Sequence, residues 1–214
     1  MASVVSFTFN PFQENTYLVI DEDGSCVIID PGCYDAVERA LLKRYIDEHQ
    51  LRPVRLLNTH CHLDHIFGNR FVAGTWNLPL EIHEGELPVL KMAPISGQVY
   101  GIPMPDEGLE PGAFLKEGEE VRFGTTTLEI LFTPGHSPAS VSFYSEADGF
   151  IIAGDVLFQG SIGRTDLPGG DYDTLIQSIR EQLLCLPDEV QVFSGHGDPT
   201  SIGEERRHNP FLQD

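Results

Sequence analysis

The chain has 214 residues, is 41% hydrophobic and carries a formal net charge of −20, from 33 acidic against 13 basic residues. That size and apolar fraction suit a single α/β domain spanning residues 1–214, and the acidic excess argues against a nucleic-acid or anionic-membrane surface. No apolar run reaches the roughly 20 residues that span a bilayer, and the start Met1-Ala2-Ser3-Val4-Val5 lacks the basic region and apolar core of a signal peptide. Cys26, Cys33, Cys61 and Cys185 are scattered without paired spacing, so a reduced, cytoplasmic protein with no nucleic-acid or membrane partner is expected.

Twenty-one glycines and fifteen prolines imply short elements joined by tight loops. Residues 3–9, 15–21 and 25–30 are apolar and β-branched and read as strands, with Asp23-Gly24 as a hairpin turn between the second and third. Val37, Leu41, Leu42, Tyr45 and Ile46 have helical spacing within 35–50. A buried strand is expected at 54–58, then a helix from Asp64 or His65 through Phe71, a strand at 79–83 and a short helix at 85–92. The stretch 93–112 is rich in Pro, Gly and Met without a period and reads as a long surface loop of the kind that covers binding sites. Strands follow at 120–123, 126–132, 141–145 and 150–153, an amphipathic helix at 172–184 and a last strand at 190–194.

The stretch Thr59-His60-Cys61-His62-Leu63-Asp64-His65 follows the strand at 54–58 and packs three imidazoles and a carboxylate into six residues. Gly135-His136-Ser137, Gly154-Asp155-Val156 and Gly195-His196-Gly197 each follow an apolar run as well. Five of the eight histidines lie in these motifs, and imidazole nitrogen and carboxylate oxygen are the donors zinc and similar divalent ions take. Each candidate ligand comes just after an expected strand, so all would gather on loops at one edge of a sheet scaffold. Cys61 could serve as nucleophile or ligand within this motif, but packing as a small apolar side chain is the preferred reading.

The ordered set His60-Cys61-His62-Leu63-Asp64-His65, His136, Asp155 and His196 resembles the metallo-β-lactamase fold superfamily over roughly residues 4 to 200. The resemblance implies an α/β (α+β) fold, a four-layer αββα sandwich of two mixed sheets flanked by helices. It implies two divalent metal ions, zinc foremost with iron or manganese tolerated. The first would be held by His60, His62 and His136, the second by Asp64, His65 and His196, with Asp155 bridging. Two cations about 3.5–4 Å apart share a metal-bridging hydroxide and lower its pKa from about 15.7 towards 7. Asp64 would orient that hydroxide as well as ligate.

Asn10-Pro11-Phe12-Gln13-Glu14-Asn15-Thr16, Thr133-Pro134-Gly135-His136, Gly160-Ser161-Ile162-Gly163-Arg164-Thr165-Asp166 and Gly195-His196-Gly197-Asp198-Pro199-Thr200 are similar to the glyoxalase II group, above all to its short bacterial hydrolases. This implies hydrolysis of a small-molecule S-2-hydroxyacyl thioester, with no C-terminal glutathione-binding helical domain expected, since the sequence ends eighteen residues after His196. Gly163-Arg164-Thr165-Asp166 also resembles the persulfide dioxygenases, in which one iron would sit on His60, His136 and Asp155. Lactone or β-lactam hydrolysis and a non-catalytic metal-binding role are the remaining alternatives.

Arg164 and Tyr100 are candidate substrate contacts, with a salt bridge to Asp166 and ordinary surface packing as the competing readings. Arg206 and Arg207 are expected to pair with Glu204 and Glu205, and His83 to cap the element after it. Asp30-Pro31-Gly32 resembles the superfamily's turn below the metal site, and the resemblance implies that Asp30 hydrogen-bonds a metal-ligating imidazole and fixes its tautomer.

Overall fold

All five residues of Ser25–Ile29 are buried, so this strand needs neighbours on both edges and cover on both faces. The structure, a computed structural model describing residues 1–102, 104 and 109–213, supplies both. The chain divides into two compact units, one made of Met1–Leu115 with Arg122–Thr126 and the other of the remaining residues.

The first unit holds β1 (Ser3–Phe9), β2 (Glu14–Ile20), β3 (Ser25–Ile29), α1 (Ala36–Glu48), β4 (Arg52–Leu57), α2 (Leu63–Ile66), α3 (Asn69–Trp76), β5 (Leu80–His83), α4 (Leu87–Tyr100) and β6 (Ala113–Leu115). Its sheet follows chain order, β1-β2-β3-β4-β5-β6. The first three strands are antiparallel, whereas β3, β4, β5 and β6 run parallel. A parallel step requires a crossover, which α1 provides between β3 and β4. Asp35 starts that helix by accepting the amides of Val37 and Glu38 at 2.8 and 2.9 Å. Its inward residues Leu42 and Ile46 join Leu18, Ile28, Leu56, Leu80 and Ile82 in one apolar cluster. Truncating one of these large side chains to alanine costs about 2–5 kcal/mol.

The rest of the chain forms β7 (Glu120–Phe123), β8 (Thr126–Phe132), β9 (Val141–Ser145), β10 (Phe150–Gly154), β11 (Leu157–Phe158), β12 (Ser161–Ile162), α5 (Tyr172–Ser178), β13 (Gln191–Ser194), β14 (Thr200–Ser201) and α6 (Ile202–His208), all in the second unit except Arg122, Phe123 and Thr126. The second sheet has the order β14-β13-β10-β9-β8-β7. It is mixed, with β10 parallel to β13 and antiparallel to β9, and β9 antiparallel to β8. Strands β8, β10 and β13 therefore share one direction. Leu175, Ile179 and Leu183 pack on Ile151, Ala153 and Val192 in the core of this unit.

Several elements differ from the sequence reading. The helix expected from Asp64 through Phe71 is two pieces, α2 and α3, because Gly68 sits against Pro31 and Cys33: its amide donates to Pro31 O at 2.7 Å, and a Cβ there would overlap Cys33 Sγ. Residues 93–100 are helix rather than loop, since α4 continues through Pro94 to Tyr100. Proline removes one helical donor, yet Leu90, Ala93 and Gly97 are buried on one face and hold the helix across it. The rest of the expected loop includes residues 103 and 105–108, outside the described residues. The expected helix 172–184 is α-helical only to Ser178 and continues as a π-turn over Ile179–Leu183. Arg206 and Arg207 pair with Asp188 rather than with Glu204 and Glu205; Glu205 is buried, accepting from Gly160 N and Thr200 Oγ1.

Asp21 ties the β7–β8 turn to the end of β2. Its carboxylate accepts the Asp23 amide at 3.0 Å, the Thr126 hydroxyl at 2.7 Å, and both the amide and hydroxyl of Thr125 at 2.9 Å. The Asp23 amide, then the Thr126 hydroxyl, hold this carboxyl well below its ordinary range. A folded pKa below the unfolded value of about 3.9 gives stability that is complete above that value and lost as pH falls. Asp21→Asn is expected to lower stability at pH 7 by about 1–3 kcal/mol, with the gap to wild type narrowing below about pH 4. Thermal unfolding between pH 7 and pH 3 measures both. Gly68→Ala is expected to cost about 1–3 kcal/mol through overlap with Cys33 and Pro31, read as a lower Tm at neutral pH.

Candidate metal centre

In the first unit the parallel strands β3, β4 and β5 end side by side and deliver three segments to the same edge. Ile29 is in register with Leu57, and Leu57 with Glu81. Asp30 follows β3, Asn58 to His65 follow β4, and Glu84 to Glu86 follow β5. Asp30 is held beside the second segment by its amide, which donates to Leu57 O at 3.0 Å. Its φ of +49° places it in the left-handed region, which aspartate adopts more readily than most residues.

The Asp30 carboxylate accepts four hydrogen bonds. Oδ1 takes the Thr59 amide at 2.7 Å and Asn58 Nδ2 at 3.1 Å, while Oδ2 takes the Thr59 hydroxyl at 2.5 Å and His65 Nδ1 at 3.1 Å. The Thr59 hydroxyl, having given its proton to Asp30, accepts from His60 Nδ1 at 3.0 Å. Both imidazoles thus carry hydrogen on Nδ1, which leaves Nε2 as the nitrogen with a lone pair for a metal. The His60 ring centroid lies 4.8 Å from that of His62 and 4.1 Å from that of His65. Asp64 Oδ2 is 3.7 Å from His65 Nε2. His60 and His65 are fully buried.

Further buried groups surround this segment. Asn10 Nδ2 donates to Asp64 O at 3.0 Å. Burial pushes the Glu14 carboxyl well above its ordinary range. Glu86, also fully buried, accepts the Cys61 amide at 2.9 Å. Cys61 lies in the apolar core, and burial pushes its thiol far above the usual value, which leaves it protonated and poor as a ligand or nucleophile.

The second unit repeats the strand-end logic. Strands β8, β10 and β13, which share a direction, are followed by His136, Asp155 and His196. The pairing of Gly154 with Ser194 sets the latter two beside each other. His136 Nε2 and His196 Nε2 each lie 3.5 Å from Asp155 Oδ2, so one carboxylate oxygen stands between two imidazoles. His136 Nδ1 donates to Arg164 O at 2.8 Å. A carbonyl can only accept, so His136 also presents Nε2 as its lone-pair nitrogen. A Cβ on Gly163 would overlap Asp155 O, and only glycine lets this loop pass so close.

These donors suit a divalent ion: the imidazoles of His60, His65 and His136 have the tautomer fixed by a second hydrogen bond, and carboxylate oxygens of Asp64 and Asp155 lie beside imidazole nitrogens. Arg164 pairs with Asp166 through two bonds of 2.7 and 2.8 Å, which draw the Asp166 carboxyl down to about 2. Tyr100 ends α4 with its ring edge-on to Phe12 at 5.8 Å. His83 Nδ1 accepts the Gly85 amide at 3.2 Å and so caps the turn after β5. Sequence reading did not single out Glu86, Thr59 or the Arg164 carbonyl. Thr59 and Arg164 stand within quoted motifs, but a carbonyl leaves no signal in residue type.

The model of the Metallo-beta-lactamase superfamily matches residues 9–196. The probable metallo-hydrolase YqgX of Bacillus subtilis is 44% identical over 94% of this chain and 93% of its own length. Hydroxyacylglutathione hydrolase GloC of Haemophilus influenzae is 41% identical, with the same coverage of 94% and 93%. Among solved structures, the BLEG-1 B3 metallo-beta-lactamase superposes with a TM-score of 0.91 at 38% identity, over 99% of this chain and all of that one. TTHA1623 in a di-iron-bound form gives 0.87 at 38% identity, covering 97% and 100%. ETHE1 from Myxococcus xanthus gives 0.77 at 28%, covering 97% and 83%. With its two mixed sheets and flanking helices and its strand-end His and Asp residues, the chain belongs to the metallo-beta-lactamase superfamily.

Proposed function

We propose that the chain is a thioesterase acting on S-2-hydroxyacyl thiols through a dinuclear metal centre. His60, His62 and His136 would hold one divalent ion, Asp64, His65 and His196 the other, and Asp155 both. The observation that carries the metal reading is the set of three imidazoles, His60, His65 and His136, whose Nδ1 atoms are each engaged so that Nε2 is presented. The likeness to a hydroxyacylglutathione hydrolase at 41% identity supports the thioester as substrate class.

Bound there, two divalent ions would lower the pKa of water from about 15.7 towards 7 and would polarise an acyl carbonyl. The protein's own contribution is orientation. Asp30, through His65 directly and through Thr59 to His60, stops both rings from turning. The Arg164 carbonyl does the same for His136. Asp64 Oδ would accept a hydrogen bond from the attacking water and aim its lone pair at the carbonyl carbon. A thiolate leaves without a proton donor, so the centre has no need of a general acid. Arg164 and Tyr100 are the side chains assigned to meet the substrate.

The ETHE1 and di-iron neighbours favour one second reading, oxidation of a persulfide at iron held by His60, His136 and Asp155. Three assays on one preparation separate the classes: hydrolysis of S-lactoylglutathione, hydrolysis of a cephalosporin, and oxygen consumption with glutathione persulfide. Turnover of the first alone is expected. Oxygen consumption without hydrolysis would replace the thioesterase by the dioxygenase, and cephalosporin turnover alone would replace it by a β-lactamase. His62→Ala and Asp155→Ala are each expected to lower thioesterase kcat/KM by at least about 10³-fold, the scale of losing a group that stabilises the transition state. Activity persisting in either variant at wild-type metal content would contradict the dinuclear assignment.

A further inference from the structure

We propose that Glu86 is a positioning residue for the metal, fixing the backbone between His60 and His62 so that both imidazoles aim at one ion. The inference rests on the metal-binding reading of those two histidines. Alternation along an extended chain puts residues 60 and 62 on one side and residue 61 on the other, and His62 has extended angles of φ −64° and ψ 152°. Cys61 points its side chain into the apolar core and is fully buried. Its amide, on the peptide that links it to His60, donates to Glu86 Oε2 at 2.9 Å. The residue between the two histidines is therefore pinned twice, by its thiol in the core and by its amide on a carboxylate. Rotation of that peptide would swing the two imidazoles apart.

The Glu86 side chain brings an acceptor oxygen to that buried amide. Its placement is supported from behind. Glu86 ends the 3₁₀ turn Glu84–Glu86 and immediately precedes α4, a fourteen-residue helix whose N-terminal partial charge favours an anion. The turn is itself held by His83 Nδ1, which accepts the Gly85 amide. The ends of β4 and β5 are thus joined through one side chain. Asp30 governs how the rings of His60 and His65 are oriented; Glu86 governs the main chain that carries His60 and His62.

The test compares Glu86→Ala, which removes the acceptor, Glu86→Asp, which keeps the charge but withdraws the oxygen by one methylene, and Glu86→Gln, which keeps the reach without the charge. Metal-free wild-type and variant proteins are titrated with Co(II) against a competing chelator. The cobalt absorption spectrum and the thermal unfolding of each metal-free protein are recorded. The Ala and Asp variants are expected to lose about 10- to 100-fold in Co(II) affinity with a changed absorption band, the scale of losing a group that orients ligands. Glu86→Gln should stay within about threefold of wild type with the same band. A Glu86→Ala protein with wild-type affinity and spectrum, whatever its Tm, would overturn the proposal. If neither Ala nor Asp variant folds, Glu86→Met, which keeps the bulk without the acceptor, takes their place: a loss of affinity on the same scale with a changed band upholds the proposal, and wild-type affinity with an unchanged band overturns it. Wild-type protein that takes up no cobalt would overturn the metal reading and this inference together, whereas unchanged variants beside a cobalt-binding wild type would overturn the role of Glu86 alone.

Discussion

Parallel pairing of β3 with β4, and of β4 with β5, is the constraint from which the rest of the first unit's site follows. Because these strands end at the same level, the residues after them must share a small volume. Their buried carboxylates are supplied with donors, since Asp30 accepts four hydrogen bonds and Glu86 accepts the Cys61 amide. A buried carboxylate without such donors would be costly. With them it becomes a rigid template, and the imidazoles of His60 and His65 inherit its rigidity. Weakening the β3–β4 register would move Asp30 away from Thr59 and release both rings at once.

The second unit solves the same problem with fewer charges. There a backbone carbonyl, Arg164 O, fixes the His136 tautomer, and Asp155 Oδ2 sits 3.5 Å from two imidazoles. The loop bringing that carbonyl back depends on Gly163 passing against Asp155 O. It is anchored further along by the buried Glu205, which takes the Gly160 amide, and by Asn209, which donates to Ser161 O. Arg164 is thereby tied to the site through its main chain, and its guanidinium through Asp166 stiffens the same loop.

How much of this the sequence revealed depends on which atoms carry the information. Histidine spacing after apolar runs was enough to single out His60, His62, His65, His136 and His196, because side-chain chemistry and strand periodicity are both written in residue types. The continuation of α4 was hidden, since Pro94 reads as a breaker and its buried face is made partly of Ala93 and Gly97, which give little hydrophobic contrast. The break between α2 and α3 was hidden too, because it depends on Gly68 meeting Pro31 and Cys33, residues distant in the chain. Arg206 and Arg207 had acidic neighbours in sequence, but the helix directs them to Asp188. Contacts made by backbone atoms, such as the Cys61 amide and the Arg164 carbonyl, have no residue signature and emerge only from the fold.

The proposed dinuclear centre calls for two divalent ions per chain. Metal content per chain, measured on protein expressed without supplement and again after reconstitution with Zn(II), tests it most directly. Two equivalents are expected in the reconstituted wild-type protein, falling to one or fewer when Asp155, the proposed shared ligand, is replaced by alanine. A wild-type protein that saturates at a single equivalent, or an Asp155→Ala protein that still holds two, would contradict it.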